Sequence, residues 1–176
     1  KGDVESLLAL TGARFTFEPA AHPALHPGQS ARILREGREA GWVGALHPGL
    51  ARALDLDLAP LLWELDEEVS FAAELPVFTE ISRYPAIRRD IAVLVERGVP
   101  VASLVGVIRE AGGGLLTECR VFDVYQGERI DSSLKSVAFG LILQESSRTL
   151  TDEDADGVVA AVVARLESEF GARIRD

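Results

Sequence analysis

Two short segments of the sequence carry side chains that could bind a nucleotide together. The segment FDVY places Asp123 two residues before Tyr125, and Arg88 and Arg89 begin a strongly apolar run. A tyrosine ring can stack on a base, and a carboxylate can accept hydrogen bonds from the base edge. The arginines could hold phosphates beside that base. These groups can act together only if the fold brings them to one surface.

The second half of the chain predicts six elements in the order βαββαβ, the split unit of the ferredoxin-like fold. Glycines and prolines separate the elements, and Thr151 with Asp154 forms a capping-box pattern before the second helix. The six segments are RRDIAVLVE, VASLVGVIREAGGG, LLTECRVFDVYQG, LKSVAFGLILQ, TDEDADGVVAAVVARLESEFG and ARIRD.

Alternation along the predicted strands assigns their side chains to two faces of one antiparallel sheet. We expect the bulky apolar residues to lie under the helices: Ile91, Val93, Val95, Phe122, Val124, Val137, Phe139, Leu141, Leu143 and Ile174. The opposite side, called the open face below, then carries Ala92, Asp123, Tyr125, Ser136, Ala138 and Gly140. Arg88, Lys135, Arg173 and Arg175 would lie at its rim. Small residues beside one aromatic ring leave room for a base, although an ordinary solvated face has the same pattern.

The first part of the chain predicts a different α+β arrangement, resembling the end of a larger domain. A helix begins near Asp3 and stops at Gly12, a hairpin turns near Gly37, and LLWELDEEVSF predicts a strand. We place the boundary in an extended segment between Pro76 and Pro85, which gives domains at 1–78 and 79–176. No methionine occurs in the chain, so we expect a fragment of a longer protein.

Composition limits the classes of partner that the chain can bind. The formal net charge is −10, which argues against a general nucleic-acid or DNA-binding protein. Residues 79–148 nevertheless balance nine basic against nine acidic side chains, so a local surface could still meet an anion. No apolar run has the length of a membrane helix, and no membrane partner is expected. The single cysteine, Cys119, is typical of a cytoplasmic protein.

Longer motifs resemble the β subunit of bacterial phenylalanyl-tRNA synthetases. ISRYPAIRRDIAVLV, FDVYQG, LKSVAFGLILQ, SRTLTDED and ARIRD are similar to its C-terminal anticodon-binding domain. KGDVESLL, HPALHPGQSARI and GWVGALHPGLARAL are similar to the last part of its catalytic-like core domain, a class II fold. The resemblance covers nearly the whole chain, with the motifs in the family's order.

The resemblance implies a role in charging tRNA(Phe) with phenylalanine, within an α2β2 ligase that uses ATP and magnesium at the α subunit. It implies that Ala92, Asp123, Tyr125 and Ser136 meet the first anticodon base, and that this segment holds no cofactor or metal. Arg88, Arg89, Lys135, Arg173 and Arg175 would contact the tRNA backbone. The first part would be catalytically inert, because LLWELDEEVSF lacks the glycine and arginine that grip ATP in class II enzymes and offers carboxylates instead.

Three other functions fit parts of the sequence less well or remain open. A regulatory or assembly domain could use the same sheet face to bind protein, since many functions share this fold. An acylphosphatase-like enzyme would need a phosphate-binding loop that VERGVPVAS does not supply. A zinc site at His22 and His26 is not favoured, because Pro23 and Pro27 prevent a regular helix there.

Overall fold

The structure, a computed structural model, describes residues 1–72, 78 and 81–175. It divides into two compact units, Lys1–Phe78 and Thr79–Asp176. Residues 76, 77, 79 and 80 of the segment predicted to be extended, between Pro76 and Pro85, lie outside the described residues.

The first unit is a four-stranded antiparallel sheet with three helices. In chain order the elements are α1 (Gly2–Ala9), β1 (Phe15–Pro19), β2 (Leu25–Arg35), β3 (Arg38–Leu46), α2 (Pro48–Ala53), β4 (Leu61–Leu65) and α3 (Glu67–Ser70). The strands lie in the order β1-β2-β3-β4. Val4 and Leu8 of α1 pack on Ile33 and Val43 of the sheet, so the apolar side of α1 closes a small core. The hairpin turns at Glu36 and Gly37, which both have positive φ angles.

The segment LLWELDEEVSF differs from its predicted single strand. Strand β4 ends at Leu65, and α3 begins at Glu67. The reason is local capping, because the Asp66 side chain accepts a hydrogen bond of 2.8 Å from the backbone N–H of Val69. A carboxylate in this position favours the first turn of a helix over continued extension.

The second unit has the predicted order βαββαβ. Its elements are β5 (Ile87–Glu96), α4 (Val101–Gly112), a 3₁₀ turn (Gly113–Leu115), β6 (Leu116–Tyr125), β7 (Leu134–Leu143), α5 (Asp152–Phe170) and β8 (Arg173–Ile174). The strands pair antiparallel in the order β6-β7-β5-β8. The predicted α+β class and ferredoxin-like topology are therefore confirmed.

Both long helices of this unit pack on one side of its sheet. Leu104 and Ile108 of α4 and Leu166 of α5 are almost completely buried against the strands. The sheet residues in this core include Ile91, Val93, Val95, Val137, Phe139 and Leu141. Because strand residues alternate, their immediate neighbours must face away from the helices.

Strand β6 departs from the predicted alternation at Phe122. Val121 pairs with Phe139 and Asp123 with Ala138, so Phe122 is an extra residue without a partner in β7. Phe122 and Val124 were predicted to lie in the core, but they are 53% and 46% exposed. Cys119 and Val121 pack against the core instead. The bulge thus preserves the faces of Asp123 and Tyr125 but changes the faces of the residues before it.

Helix α5 begins at the predicted capping box. The Thr151 hydroxyl accepts from the backbone N–H of Asp154, and the Asp154 carboxylate accepts from the backbone N–H of Thr151 at 2.8 Å. Arg148 adds two hydrogen bonds to the same carboxylate, of 2.6 and 2.9 Å. These hydrogen bonds, of which those from Arg148 have the largest effect, hold the pKa of Asp154 well below its usual range.

We expect Asp154→Asn to lower stability at neutral pH and to lose this effect in acid. A carboxylate with a depressed pKa contributes its full stabilisation above its unfolded pKa of about 4, and this contribution is lost only as the pH falls through the much lower pKa of the folded state. Urea midpoints at pH 7 and pH 3 measure the change, which should be smaller at pH 3 but still present, with Glu153→Gln as the control for removing one charge from the same helix turn. An equal deficit at both pH values would contradict the ionic origin of the effect.

Candidate nucleic-acid interface

Pairing across the second sheet brings the predicted base-binding residues to one side. Ala138 of β7 pairs with Ala92 of β5 and with Asp123 of β6. Ser136, two residues earlier in β7, pairs with Tyr125. Directly paired residues project to the same face, and here that face is opposite the helices. The open face therefore exists, and Ala92, Asp123, Tyr125 and Ser136 lie on it in two adjacent rows.

Strand β8 and the residue after it add two arginines to this face, at the opposite edge of the sheet from Tyr125. Arg173 pairs with Leu94, and the backbone N–H of Arg175 donates to the Ala92 carbonyl at 2.9 Å. Arg175 therefore lies in the row of Ala92 and Asp123. The described residues supply no ion pair to either guanidinium.

The Arg175 side chain reaches back over the sheet to Tyr125. Its guanidinium carbon lies 5.1 Å from the centroid of the Tyr125 ring, in a cation–π contact. Strands β8 and β6 are three strand spacings apart, roughly 14 Å, so the two side chains meet above β5 and β7. They can meet because the residues beneath them are small. Ser136 and Ala138 are consequently only 3% and 8% exposed, although no helix covers them.

The Asp123 carboxylate of this surface is available to a ligand, whereas Ser136 is almost completely buried. Asp123 is exposed, and neither its carboxylate nor the Ser136 hydroxyl forms a hydrogen bond or ion pair within the part of the chain that the structure describes. A carboxylate beside an aromatic ring can accept from the N–H groups of a base edge. The arrangement can therefore combine stacking with directional hydrogen bonds.

The two adjacent arginines of β5 point to opposite sides of the sheet. Arg88 lies on the open face and pairs with Asp90 at 2.9 Å. Arg89 lies on the helix side, where it pairs with Asp156 at 3.1 Å and with Asp152. Arg89 therefore joins β5 to the acidic start of α5, and its position does not support the predicted contact with tRNA.

Lys135 also differs from its predicted place at the rim. It pairs with Val95 on the helix side of the sheet and is only 7% exposed. Its ammonium donates to the Arg97 carbonyl at 3.1 Å and to the Val99 carbonyl, which caps the loop before α4. Burial lowers the pKa of this ammonium. The position suits a structural cation and does not support a phosphate contact.

Two residues of this surface were missed in the sequence. Arg120 lies on the open face opposite Gly140, because the bulge at Phe122 reverses the alternation before it. Gly127 lies against the ring of Tyr125, since a Cβ atom there would come within 2.6 Å of the tyrosine Cζ. Nothing in the sequence marks the bulge, whereas the glycine after FDVYQ was a visible signal.

Two known protein families match the sequence of this chain, one in each of its two units. The family described as the phenylalanyl tRNA synthetase beta chain CLM domain matches residues 1–67. The ferredoxin-fold anticodon binding domain family matches residues 82–175, more than half of the chain. The chain belongs to the ferredoxin-fold anticodon-binding domain family. The resemblance inferred from the sequence motifs is thereby confirmed.

Similar proteins include phenylalanine–tRNA ligase beta subunits of several bacteria. The protein from Pseudomonas syringae pv. tomato is 48% identical over 99% of this chain, and the match covers 22% of that protein. The proteins from Nitrosococcus oceani and Xanthomonas axonopodis pv. citri are 48% and 47% identical over 100% and 99% of this chain. This anticodon-binding family member thus spans about a fifth of the length of the curated relatives it matches.

The described residues contain neither a candidate membrane span nor a candidate metal site. Among them, no helix combines the length and apolar character that crossing a membrane requires. The same residues contain no group of three His, Cys, Asp or Glu side chains placed to hold a metal ion. His22, considered as a ligand from the sequence, stacks on Trp42 with ring centroids 4.6 Å apart.

Proposed function

We propose that the second unit binds the anticodon stem-loop of tRNA(Phe) and that the chain is part of a phenylalanine–tRNA ligase. The observation that carries the proposal is the contact of Tyr125 with Arg175 above the small residues of the open face. This contact supports the proposal because it places a planar cationic group over the tyrosine ring, on the side where a base would stack.

In the proposed complex the first anticodon base takes the place of the Arg175 guanidinium on Tyr125. The Arg175 guanidinium carbon and the Tyr125 ring centroid are 5.1 Å apart. A base stacked between these two groups would need a separation of roughly 7 Å, so there is no room for it in this arrangement. The arginine must therefore move when the base enters. Its planar group can then stack on the outer side of the base or meet a neighbouring phosphate.

The remaining residues of the open face have distinct tasks in this complex. Asp123 and Ser136 accept and donate hydrogen bonds at the base edge, while Ala92 and Ala138 leave space for the ring system. Arg173 and Arg175 face the RNA backbone, and Arg88 does so with its charge partly balanced by Asp90. The face thus offers local positive charge although the whole chain is acidic.

The proposal extends to the assembly in which this chain acts. We place the chain in the cytoplasm, in an α2β2 enzyme whose α subunit uses ATP and magnesium to attach phenylalanine to tRNA(Phe). This segment contributes binding and no catalytic residue. The similarity to phenylalanine–tRNA ligase beta subunits supports this division of tasks, as do the carboxylates of β4 and α3, because ATP binding would need cations.

We expect Asp123→Ala to reduce discrimination at the first anticodon base. Removing the acceptor should weaken binding of native tRNA(Phe) about tenfold, the effect of one good base contact. Binding of a tRNA with another base at that position should change little. Equilibrium binding to the full synthetase measures both values.

Glu118→Ala is the matched control for this experiment. Glu118 is an exposed carboxylate of the same strand that pairs with Ile142 on the open face, farther from Tyr125. The control should leave the ratio of the two affinities unchanged. An unchanged ratio in Asp123→Ala as well would remove Asp123 from base recognition.

A further inference from the structure

The bulge at Phe122 adds one arginine to the open face. Arg120 pairs with Gly140, which in turn pairs with Asp90 of β5. Strict alternation from Asp123 would have placed Arg120 on the helix side. Because Phe122 is an extra residue, Arg120 shares the face of Asp123 and Tyr125 instead.

The surroundings of Arg120 leave its positive charge available. Its side chain is exposed, and within the described residues it has no hydrogen bond or ion pair. The nearest row across the sheet contains Gly140, which has no side chain, and Asp90, whose carboxylate is already bound by Arg88. Glu118 and Asp123 are the acidic neighbours along β6, and neither is paired with Arg120.

Arg88 and Arg120 differ in whether a carboxylate already binds them, among the described residues. A Cβ atom on Gly140 would lie 3.3 Å from the Asp90 Oδ1 atom and 3.6 Å from an Nη atom of Arg88, so the Arg88–Asp90 ion pair lies beside the glycine. Arg120 faces Gly140 from the other neighbouring strand. Because Asp90 already pairs with Arg88, the guanidinium of Arg120 is the group in this row that favours an anion with several acceptor oxygens, such as a phosphate.

We propose that Arg120 contacts a backbone phosphate of the anticodon stem-loop, next to the nucleotide whose base stacks on Tyr125. The inference rests on the proposed function and names a contact beyond the residues that the family resemblance supplied. Arg120 lies about 13 Å along β6 from Tyr125, counting four regular strand steps. A phosphate at that distance belongs to a flanking nucleotide, so Arg120 contributes affinity without reading the base.

The salt dependence of tRNA(Phe) binding to the full synthetase tests this contact. Replacing one phosphate-binding cation should reduce the slope of log affinity against log salt by roughly 0.7–0.9. We expect this change in slope for Arg120→Gln between 50 and 200 mM salt. At 50 mM salt the variant should bind tRNA(Phe) more weakly than the native protein does. Arg120→Lys should restore most of the slope, because a point charge still meets a phosphate.

Arg109→Gln is the matched control, since it removes the same charge from an exposed position of α4, on the other side of the sheet. The control should keep the native slope. Equal slopes for Arg120→Gln and Arg109→Gln would overturn the inference.

Tyr125→Ala, measured in parallel, distinguishes the Arg120 contact from the anticodon site itself. If Tyr125→Ala weakens binding while Arg120→Gln keeps the native slope, only the Arg120 contact is contradicted. If neither variant changes binding, the anticodon site on this face fails as well.

Discussion

Replacing Tyr125 by alanine is expected to weaken tRNA(Phe) binding to the full synthetase by about 1–3 kcal/mol, the usual contribution of one base stack. This corresponds to a loss of affinity of roughly 5- to 150-fold. The ring is the large planar group on the open face, and its neighbours are too small to replace it. Equilibrium binding at fixed salt, supported by the rate of aminoacylation at limiting tRNA, measures the change.

Tyr125→Phe provides the control for the stacking explanation. It keeps the ring and its contact with Gly127 but removes the hydroxyl group, so binding should remain close to that of the native protein. A native affinity in Tyr125→Ala would show that this face is not the anticodon site. A loss in Tyr125→Phe as large as in Tyr125→Ala would assign the effect to the hydroxyl group and contradict stacking.

Phe139→Ala is expected to destabilise the second unit by about 3–5 kcal/mol, the range for truncating a fully buried phenylalanine. Phe139 has no exposed surface and lies in the central strand β7, between Ile91 of β5 and Val121 of β6. It belongs to the core that both helices share with the sheet, so a cavity there affects every layer. Urea unfolding followed by circular dichroism measures the free energy of unfolding.

Phe122→Ala is the matched control because the same side chain is removed from a position that is 53% exposed. Its effect should remain within about 0.5 kcal/mol, as for most surface substitutions. Similar losses in the two variants would contradict the placement of Phe122 at the bulge. The sequence alone predicts large losses for both, so this pair of variants tests the structural correction directly.

Much of the second unit could be predicted from the sequence because its signals are local. The glycines after α4 and the capping box at Thr151 mark helix ends, and alternation in β5 and β7 separates Val93 and Val137 from Ala92 and Ser136. Each of these signals depends on residues close together in the chain. These local signals are sufficient to predict the ferredoxin-like order and the open face.

The positions of the cations could not be predicted in the same way. Arg88 and Arg89 are adjacent and chemically identical, yet one pairs on the open face and the other with α5. Lys135 belongs to a strand with a clear pattern, but its long side chain bends to carbonyl groups of the loop before α4. A long charged side chain can reach several acceptor groups, and the fold determines which of them lie nearby. For Lys135 and Arg89 these acceptors are distant in the sequence.

The sequence by itself determined the family, the order of elements and the identity of the residues around a predicted base site, because short-range patterns and motifs carry that information. Only the tertiary structure decided which cations share that site. The bulge at Phe122 brought Arg120 to the open face, and pairing across four strands brought Arg175 onto Tyr125. Both depend on strand register, which is fixed by the packing of the whole sheet and its helices.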